Sequence, residues 1–542
     1  MGKELVTEKT RRETGLDHVF ASLNILTPYG KKELRSYRPF MPGQEEELRG
    51  ELGRLEDVRD ILSRDASRTG QLKEILMLVK DNSLSLEKSR DTTLSTVEIY
   101  EIKILLLQME KLRKMDEEDH FPGEFVPDDL TKLLDILDPD GGRVSTFFIY
   151  DSFSEKLAEL RERKKRLEQQ TRKLQKTRAT EMKKEHGIVL TPKFEIRVNK
   201  EDHDRIKMIE NIAELEKSAE DYMSITWQLA TDGETDQLIR EKEECEEQIE
   251  SEEFTVRRQL TAHIAGHASI IEEGCRRIGM LDLAIAKADH AEKHRCICPE
   301  ITEEHRVAFE EGRHIQVEEI LNRDGSEYCP ISIELEDGVS CITGANMGGK
   351  TVSLKLSGLI PLMTQYGMFV PCQKATIGLS SSISILIGDS QSIERGLSSF
   401  GSEMEELKRM LDESGPRAFL LIDEIAAGTN PSEGLALTKS VIDYLKAREY
   451  ITLITTHYEL GPGEEDINRL QVTGLACADL QRLDTELKTA GPKERIGVIR
   501  RHMDYRLRKA QTGDDVPQDA LNIARMLGIG SDIIDRAKDY LR

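Results

Sequence analysis

The stretch Cys341-Ile-Thr-Gly344-Ala-Asn-Met-Gly-Gly349-Lys350-Thr351 decides how the chain reads. It fits G-x-x-x-x-G-K-[ST], a loop that cradles phosphate oxygens. Gly344, Gly348 and Gly349 leave room for backbone N–H groups to turn inward, with Ala345, Asn346 and Met347 between them. Lys350 is placed to reach the β- and γ-phosphates, and the Thr351 hydroxyl to hold Mg²⁺. Val339–Thr343 reads as a strand before the loop. Val352–Leu362 reads as a helix after it, its positive end facing the anion. A partner motif lies roughly seventy residues on: Phe419-Leu-Leu-Ile422-Asp423-Glu424, an apolar strand ending in two acids. Asp423 is expected to hold Mg²⁺ through water and Glu424 to orient or deprotonate the attacking water. A strand ending in Asp-Glu is commonplace alone. After a phosphate loop it points to nucleotide hydrolysis with Mg²⁺.

Composition bounds the rest. The 542 residues allow two to four domains. Charged residues make up 33% and aromatics 5%, which suits long solvated helices. A net charge of −24 offers no broad basic surface, although a local one remains open. The eight cysteines are scattered, and His294-Arg-Cys296-Ile-Cys298 has no second pair to make a zinc framework. Reduced thiols, no apolar signal core at the N-terminus and no run of roughly 18 apolar residues place the chain in the cytoplasm, off the membrane.

Outward from the loop, the C-terminal half alternates short strands with helices. Expected strands are Ile331–Leu335, Val339–Thr343, Gly367–Pro371, Ile383–Ile387, Ala418–Ile422 and Tyr450–Thr455. Two helices, Asp519–Arg525 and Ser531–Leu541, end the chain. The N-terminal part reads as helices over Leu16–Leu26, Gln44–Leu62, Leu72–Val79, Thr96–Lys114 and Leu130–Leu137. Thr27-Pro28-Tyr29-Gly30 breaks the first of them. Val144–Tyr150 reads either as a strand or as a packing plug. Leu160, Leu167 and Leu174 form a heptad seam. Residues 161–184 carry eleven Lys or Arg against three acids, either a solvated face or a basic arm for phosphates through Lys164, Lys165, Lys183 and Lys184. Thr191–Val198 looks extended. A second helical region runs from Glu201 to about Lys293, broken at Thr231-Asp-Gly-Glu. This predicts an antiparallel arm that goes out and returns.

The catalytic half resembles the MutS family of ATPases. Thr343–Thr351 is nearly that family's phosphate loop, with Ala345 where Pro is usual. Asp423–Leu437 is similar to its acidic strand and following loop, and Thr455-Thr456-His457-Tyr458 to its histidine switch. Ser398-Ser399-Phe400-Gly-Ser-Glu-Met404 is similar to its signature segment. The resemblance implies that His457 senses the γ-phosphate, that Ser398 and Ser399 are offered across a dimer to the partner's nucleotide, and that Tyr328 lies against adenine. Glu311-Gly-Arg-His314 resembles the opening of the ATPase domain, and Asp519–Ala537 the dimerising helices. Leu26-Thr-Pro-Tyr-Gly30 and Leu281-Asp-Leu-Ala-Ile-Ala-Lys287-Ala resemble the family's core and lever more loosely. Ile331-Ser332 departs from the usual Asn-Asp near the adenine site.

Ile387–Glu394 and Gly349–Lys355 sit nearer the bacterial recombination-suppressor branch than the mismatch-repair branch. The N-terminal mismatch-reading domain and the C-terminal nuclease-like domain are expected to be lacking.

The expected fold is α plus α/β. A helical core (1–150) leads into a lever with an antiparallel coiled-coil clamp (151–300). A P-loop ATPase domain of the ABC type (301–510) comes next, with dimerisation helices (511–542) after it. The expected function is an ATP-hydrolysing homodimer, or heterodimer with a paralogue, whose arms close on mismatched, branched or otherwise unusual DNA. The alternative is remodelling of a protein client without DNA.

Overall fold

Gly15, at φ 82°, divides α1 (Glu8–Thr14) from α2 (Leu16–Ser22). The stretch Thr27–Gly30, expected to break the helical pattern, instead starts a helix, α3 (Pro28–Ser36). Thr27 is its N-cap and accepts the Gly30 N–H at 2.9 Å, while Pro28 takes a first-turn position that needs no N–H. The buried Asp282 carboxylate accepts the Thr27 N–H and hydroxyl, both at 2.7 Å, and the Leu26 N–H at 3.1 Å. The two stretches that resemble core and lever therefore meet in space. Next come α4 (Glu45–Arg64), α5 (Ala66–Met77), α6 (Ser83–Ser89), α7 (Thr96–Asp119) and α8 (Thr131–Leu137).

The computed structural model describes residues 5–344, 349–388, 399–427, 429–458, 466–475, 483, 486–487, 491, 495–510 and 519–540. They divide into two units: residues 1–77, 119–125 and 276–542, and residues 78–118 and 126–275.

In the second unit, α9 (Glu155–His186) ends at Gly187, which turns the chain at φ 67°. The segment after it differs from the helix expected over 201–230. β1 (Glu195–Asn199), α10 (His203–Glu210), β2 (Leu215–Glu220) and β3 (Ser224–Leu229) build a small antiparallel sheet in the order β1-β3-β2. The reason is local. Ser224-Ile-Thr-Trp-Gln-Leu229 is β-branched and aromatic and buries alternate residues, so period two wins over the charged helical pattern around it. Ile196, Val198, Ile209, Ile225 and Trp227 fill its core.

The chain then enters α11 (Gly233–Lys293), a helix of 61 residues. Ion pairs Lys156–Glu252 (2.9 Å), Lys164–Glu246 (2.8 Å) and Arg178–Asp232 (3.4 Å) show that α9 and α11 run antiparallel. Leu160, Leu167 and Cys245 form the apolar seam between them, with Leu238 and Ile249 at its edge.

Residues 144–150 are a plug, not a strand. Phe147, Phe148, Tyr150 and Phe153 cluster by their rings. They pack over the fully buried Lys103, whose ammonium bonds Asp138 (2.9 Å), the Thr146 carbonyl (3.0 Å) and the Tyr150 hydroxyl (3.3 Å). A charge tolerates burial only when so completely met.

The first unit holds two sheets. β4 (Glu300–Thr302), β5 (Arg306–Gly312), α12 (Ile315–Arg323), β6 (Ile331–Glu336), β7 (Gly338–Thr343), α13 (Lys350–Gln365), β8 (Lys374–Gly378) and β9 (Ser382–Ile387) come first. After them stand α14 (Ser399–Glu413), β10 (Ala418–Asp423), α15 (Pro431–Lys446), β11 (Tyr450–Thr455), β12 (Asn468–Gly474), α16 (Arg495–His502), β13 (Asp504–Lys509), α17 (Asp519–Met526) and α18 (Ser531–Tyr540).

The six-stranded sheet has the order β13-β12-β7-β11-β10-β9, parallel except for β13. The smaller sheet, β4-β8-β5-β6, is mixed. The stretch expected as a strand over Gly367–Pro371 supplies only a single bridge, Val370 to Ile297.

Successive residues of β10 point to opposite cores. Phe419 and Leu421 face α13 with Leu354, Leu359 and Ile360, while Leu420 and Ile422 face α14 and α15 with Leu407, Ile442 and Leu445. A strand buried on both faces loses the apolar–polar alternation of a half-exposed one. Burial of α13 goes almost all round, and Leu5, Val6, Leu16 and Val19 from the start of the chain join its core. Among the described residues, no helix is long and apolar enough to cross a membrane.

Burial depresses four histidines of this unit, His290, His294, His305 and His314. His290 falls to about 3 through burial and the nearby His294, Lys293 and His18; His314 falls to about 4 through burial and Lys355. Their folded values lie below the ordinary one. Stability is therefore complete above about pH 6.5 and is lost as pH falls toward 4. Lowering pH from 7.5 to 5 should cost about 1–2 kcal/mol per histidine. Urea midpoints at the two pH values should differ less in His290→Leu than in wild type. An identical difference would mean that this imidazole is not the group that titrates.

Candidate nucleotide-binding site

Three parallel strands end side by side and bring the chemistry together. β7 leads into the loop, β10 ends at Asp423 and β11 ends at Thr455, in a register that pairs Asp423 with Thr455 and Thr455 with Ile342. The hydroxyls of Thr351 and Thr455 both donate to Asp423, at 2.8 and 2.5 Å, one to each carboxylate oxygen. The Glu424 N–H donates to the Thr455 carbonyl and hydroxyl, each at 3.1 Å.

Lys350 is the first residue of α13 and is 4% exposed. Its ammonium donates to the Gly344 carbonyl at 2.8 Å and lies 3.0 Å from Glu424 Oε1. A buried cation thus lies between the first glycine of the loop and the acid that follows β10. Thr351 and Asp423 are hard oxygen donors to one point, a set that suits Mg²⁺.

The backbone is bent where these side chains meet. Gly344 sits at φ 141° and Gly349 at φ 78°. A Cβ on Gly349 would come within 2.9 Å of the Tyr505 ring, and one on Gly344 within 3.2 Å of Val472. After β10, Glu424 (φ 46°) and Ala426 (φ 60°) take left-handed conformations that non-glycine residues avoid. Neighbouring bonds hold them there. The Ala426 N–H donates to Glu403 Oε1 at 2.8 Å, and the Tyr458 hydroxyl donates to the Ala426 carbonyl at 3.3 Å. A Cβ on Gly434 would strike that Tyr458 hydroxyl. Burial, followed by the charge of Glu406, raises the Glu403 carboxyl above its ordinary value.

The residues expected at the site divide into three groups. Gly344, Gly349, Lys350, Thr351, Asp423 and Glu424 converge. His457 and Tyr328 have no contact with them among the described residues. His457 is exposed, its ring centroid 4.3 Å from that of Tyr458 and tilted to it by 39°. Tyr328 is half-buried, its hydroxyl engaged with the His314 backbone, and burial pushes it up to about 12. Ala345, Asn346, Met347, Gly348 and Ser398 lie outside the described residues, as does the Ser399 side chain.

Thr455, Glu403 and Tyr505 are structural partners of the site that the motifs do not single out. The first two stand in quoted motifs, but only the tertiary contacts show what they hold. Tyr505 carries no signal in the sequence.

Residues 340–542 match the family model MutS domain V. Over those residues the chain is similar to the MutS family. Endonuclease MutS2 of Pediococcus pentosaceus is 32% identical over 299 residues, 53% of this chain and 34% of that protein. Endonuclease MutS2 of Acetivibrio thermocellus is 32% identical over 290 residues, 52% of this chain and 33% of that protein. Endonuclease MutS2 of Clostridium botulinum is 31% identical over 310 residues, 56% of this chain and 36% of that protein. The match thus spans about a third of the length of these curated relatives. The MutS domain V match takes in all six converging residues, while Tyr328 lies before it.

Thr455→Val keeps shape and burial but removes both hydroxyl bonds. It should weaken Mg²⁺-dependent ATP binding about tenfold, equivalent to about 1.4 kcal/mol. Calorimetric titration with and without Mg²⁺ would show this. An equal loss in both conditions would mean that Thr455 does not act through Asp423.

Proposed function

We propose that the chain is a MutS-type ATPase that works as a dimer and uses ATP to move helical arms on DNA. The observation that carries it is the convergence of Lys350, Thr351, Asp423 and Glu424 at the ends of three parallel strands. Lys350 binds and screens the β- and γ-phosphates. Thr351 and Asp423 hold Mg²⁺, which when bound neutralises charge on those oxygens. Lys350 moves from Glu424 to phosphate, and the freed Glu424 carboxylate takes a proton from the attacking water. His457, exposed at the end of β11, reports the γ-phosphate. Ser398 and Ser399 close the partner's site, and Tyr328 stacks on adenine.

The dimer reading is supported by Leu527 and Ile529, in the turn after α17, and Ile533 and Tyr540, on α18, which leave 39%, 46%, 64% and 91% of their surface exposed. Apolar side chains gathered on one segment are what a helical interface offers. The division into helical core, arm, ATPase domain and dimer helices at 150, 300 and 510 belongs to this proposal.

The DNA reading is supported by charge on α9. Lys164 is spent on Glu246. Lys165, Arg172, Lys176 and Lys183 recur at helical spacing on the face turned away from the Leu160–Leu167 seam, with Arg166, Lys173 and Lys184 beside them. These seven are exposed and make no ion pair among the described residues. A stripe from Lys165 to Lys183 is about 27 Å long at the rise of an α-helix. It suits phosphate contacts that position without reading sequence. The relatives' name contains the word endonuclease, which describes those proteins and is not carried to this chain.

Glu424→Ala should bind ATP normally and lose turnover by at least about a hundredfold. Lys350→Ala should lose nucleotide retention. Steady-state turnover and filter binding measure these two effects, and normal affinity in Lys350→Ala would remove the phosphate-loop assignment.

Replacing Lys165, Arg172, Lys183 and Lys184 by Gln should weaken binding to duplex and branched DNA alike. It should also flatten the dependence of log K on log salt by about one for each phosphate left without its cation. An unchanged salt slope would favour a protein client over DNA.

A further inference from the structure

The short helix at the start of the chain is bonded to two elements of the nucleotide site at once. On one side of α1, the Lys9 ammonium meets both oxygens of Glu406 on α14, each at 2.6 Å. On the other, Glu13 accepts from Lys355 on α13 at 3.0 Å. Each of these four side chains keeps only about a quarter of its surface exposed or less. The pairs are therefore less screened than surface pairs. The backbone joins in, since the Leu5 carbonyl accepts from the Ile383 N–H of β9 at 2.8 Å. Thr14 lies so close on α13 that a Cβ at Gly358 would come within 3.0 Å of its methyl group.

On α14, Glu403 precedes Glu406 by one turn. Glu403 holds the Ala426 N–H, in the strained loop that carries Glu424. A left-handed Ala or Glu persists only while its surroundings over-determine it. Three residues do so here: Thr455 accepts from Glu424, Tyr458 donates to Ala426 and Glu403 accepts from Ala426. The first two come from β11 and the turn after it, which are fixed by the sheet. The third depends on where α14 sits. Apolar contacts of Leu407 and Met410 hold that helix to the sheet, and Lys9 holds it through Glu406, with Arg409 also 3.6 Å from Glu406.

We propose that Lys9, Glu13 and Glu403 are positioning residues for ATP hydrolysis: α1 is a strut between α13 and α14, and Glu403 passes the position of α14 to the loop that aims Glu424. The proposal rests on the ATPase reading of the site. None of the three touches the reacting atoms. The helix that begins with Lys350 and the loop that begins with Glu424 are thereby set against each other from the far end of the sequence.

The test uses the full chain with Lys9→Met, Glu403→Ala, Glu403→Gln and the swapped pair Lys9→Glu with Glu406→Lys. Lys9→Met should lower kcat about fivefold, leave KM for ATP within about twofold and raise amide exchange over residues 424–427. The swapped pair should restore both readouts toward wild type. Glu403→Ala should behave as Lys9→Met does. Glu403→Gln, whose amide oxygen still accepts the Ala426 N–H, should stay near wild type.

Unchanged exchange at 424–427 in Lys9→Met and Glu403→Ala overturns the strut whatever the turnover. Faster exchange with unchanged kcat overturns the positioning role. A defect that the swap fails to restore assigns Lys9 to general packing and overturns its part. If the wild type shows no turnover that Glu424→Ala removes, the ATPase reading fails, and the positioning role falls with it even where exchange responds.

Discussion

One carboxylate is shared by two hydroxyls, and the site is built on that sharing. Asp423 receives Thr351 from the first turn of α13 and Thr455 from the end of β11. Those groups meet only because β7, β11 and β10 lie parallel and in a fixed register. A slip of one residue along β10 would send Asp423 to the opposite face and bring Ile422 to the phosphate side. The two apolar cores prevent that slip, since each face of the sheet is packed against its own helices. Hydrophobic burial, which is not directional, thus secures a directional arrangement of a few oxygens.

Local strain is added to that frame rather than absorbed by it. Glu424 and Ala426 both occupy backbone conformations that cost energy, and each is held by bonds from other elements. Lys350 and Glu424 satisfy each other across the space where phosphate would lie. A bound anion would compete for the lysine, and the glutamate would be released by the same event. In the proposed ATPase, binding and activation would then be coupled through that single ion pair.

The long helices obey a different rule. In the second unit, α9 and α11 share a narrow apolar seam and a ladder of ion pairs, so acids of α11 neutralise only the cations that face them. The remaining cations of α9 face solvent as a stripe. The sequence shows the surplus of charge, and the pairing decides which part of it is available.

Much of the site is legible in the sequence, because its chemistry is local. The loop residues and the acidic strand are separated by fixed short spacings, and five of the six expected strands of the C-terminal half stand where the apolar runs place them. The small sheet over 195–229 is not legible as such, because charged flanks mask a strand pattern only a few residues long. Strands β12 and β13 escape the sequence for a related reason: they close the sheet through long-range pairing that leaves little periodicity behind. Thr27-Pro28 reads as a stop although it starts a helix, because its partner, Asp282, is more than two hundred residues away. By itself the sequence determined that Gly344, Gly349, Lys350 and Thr351 belong with Asp423 and Glu424, since these residue types stand at short fixed spacings in two motifs. Only the tertiary structure decided that Thr455 bonds Asp423 and Glu424, that Glu403 bonds Ala426 and that Lys9 and Glu13 bond α14 and α13, because a hydrogen bond between distant segments leaves no mark on either segment alone.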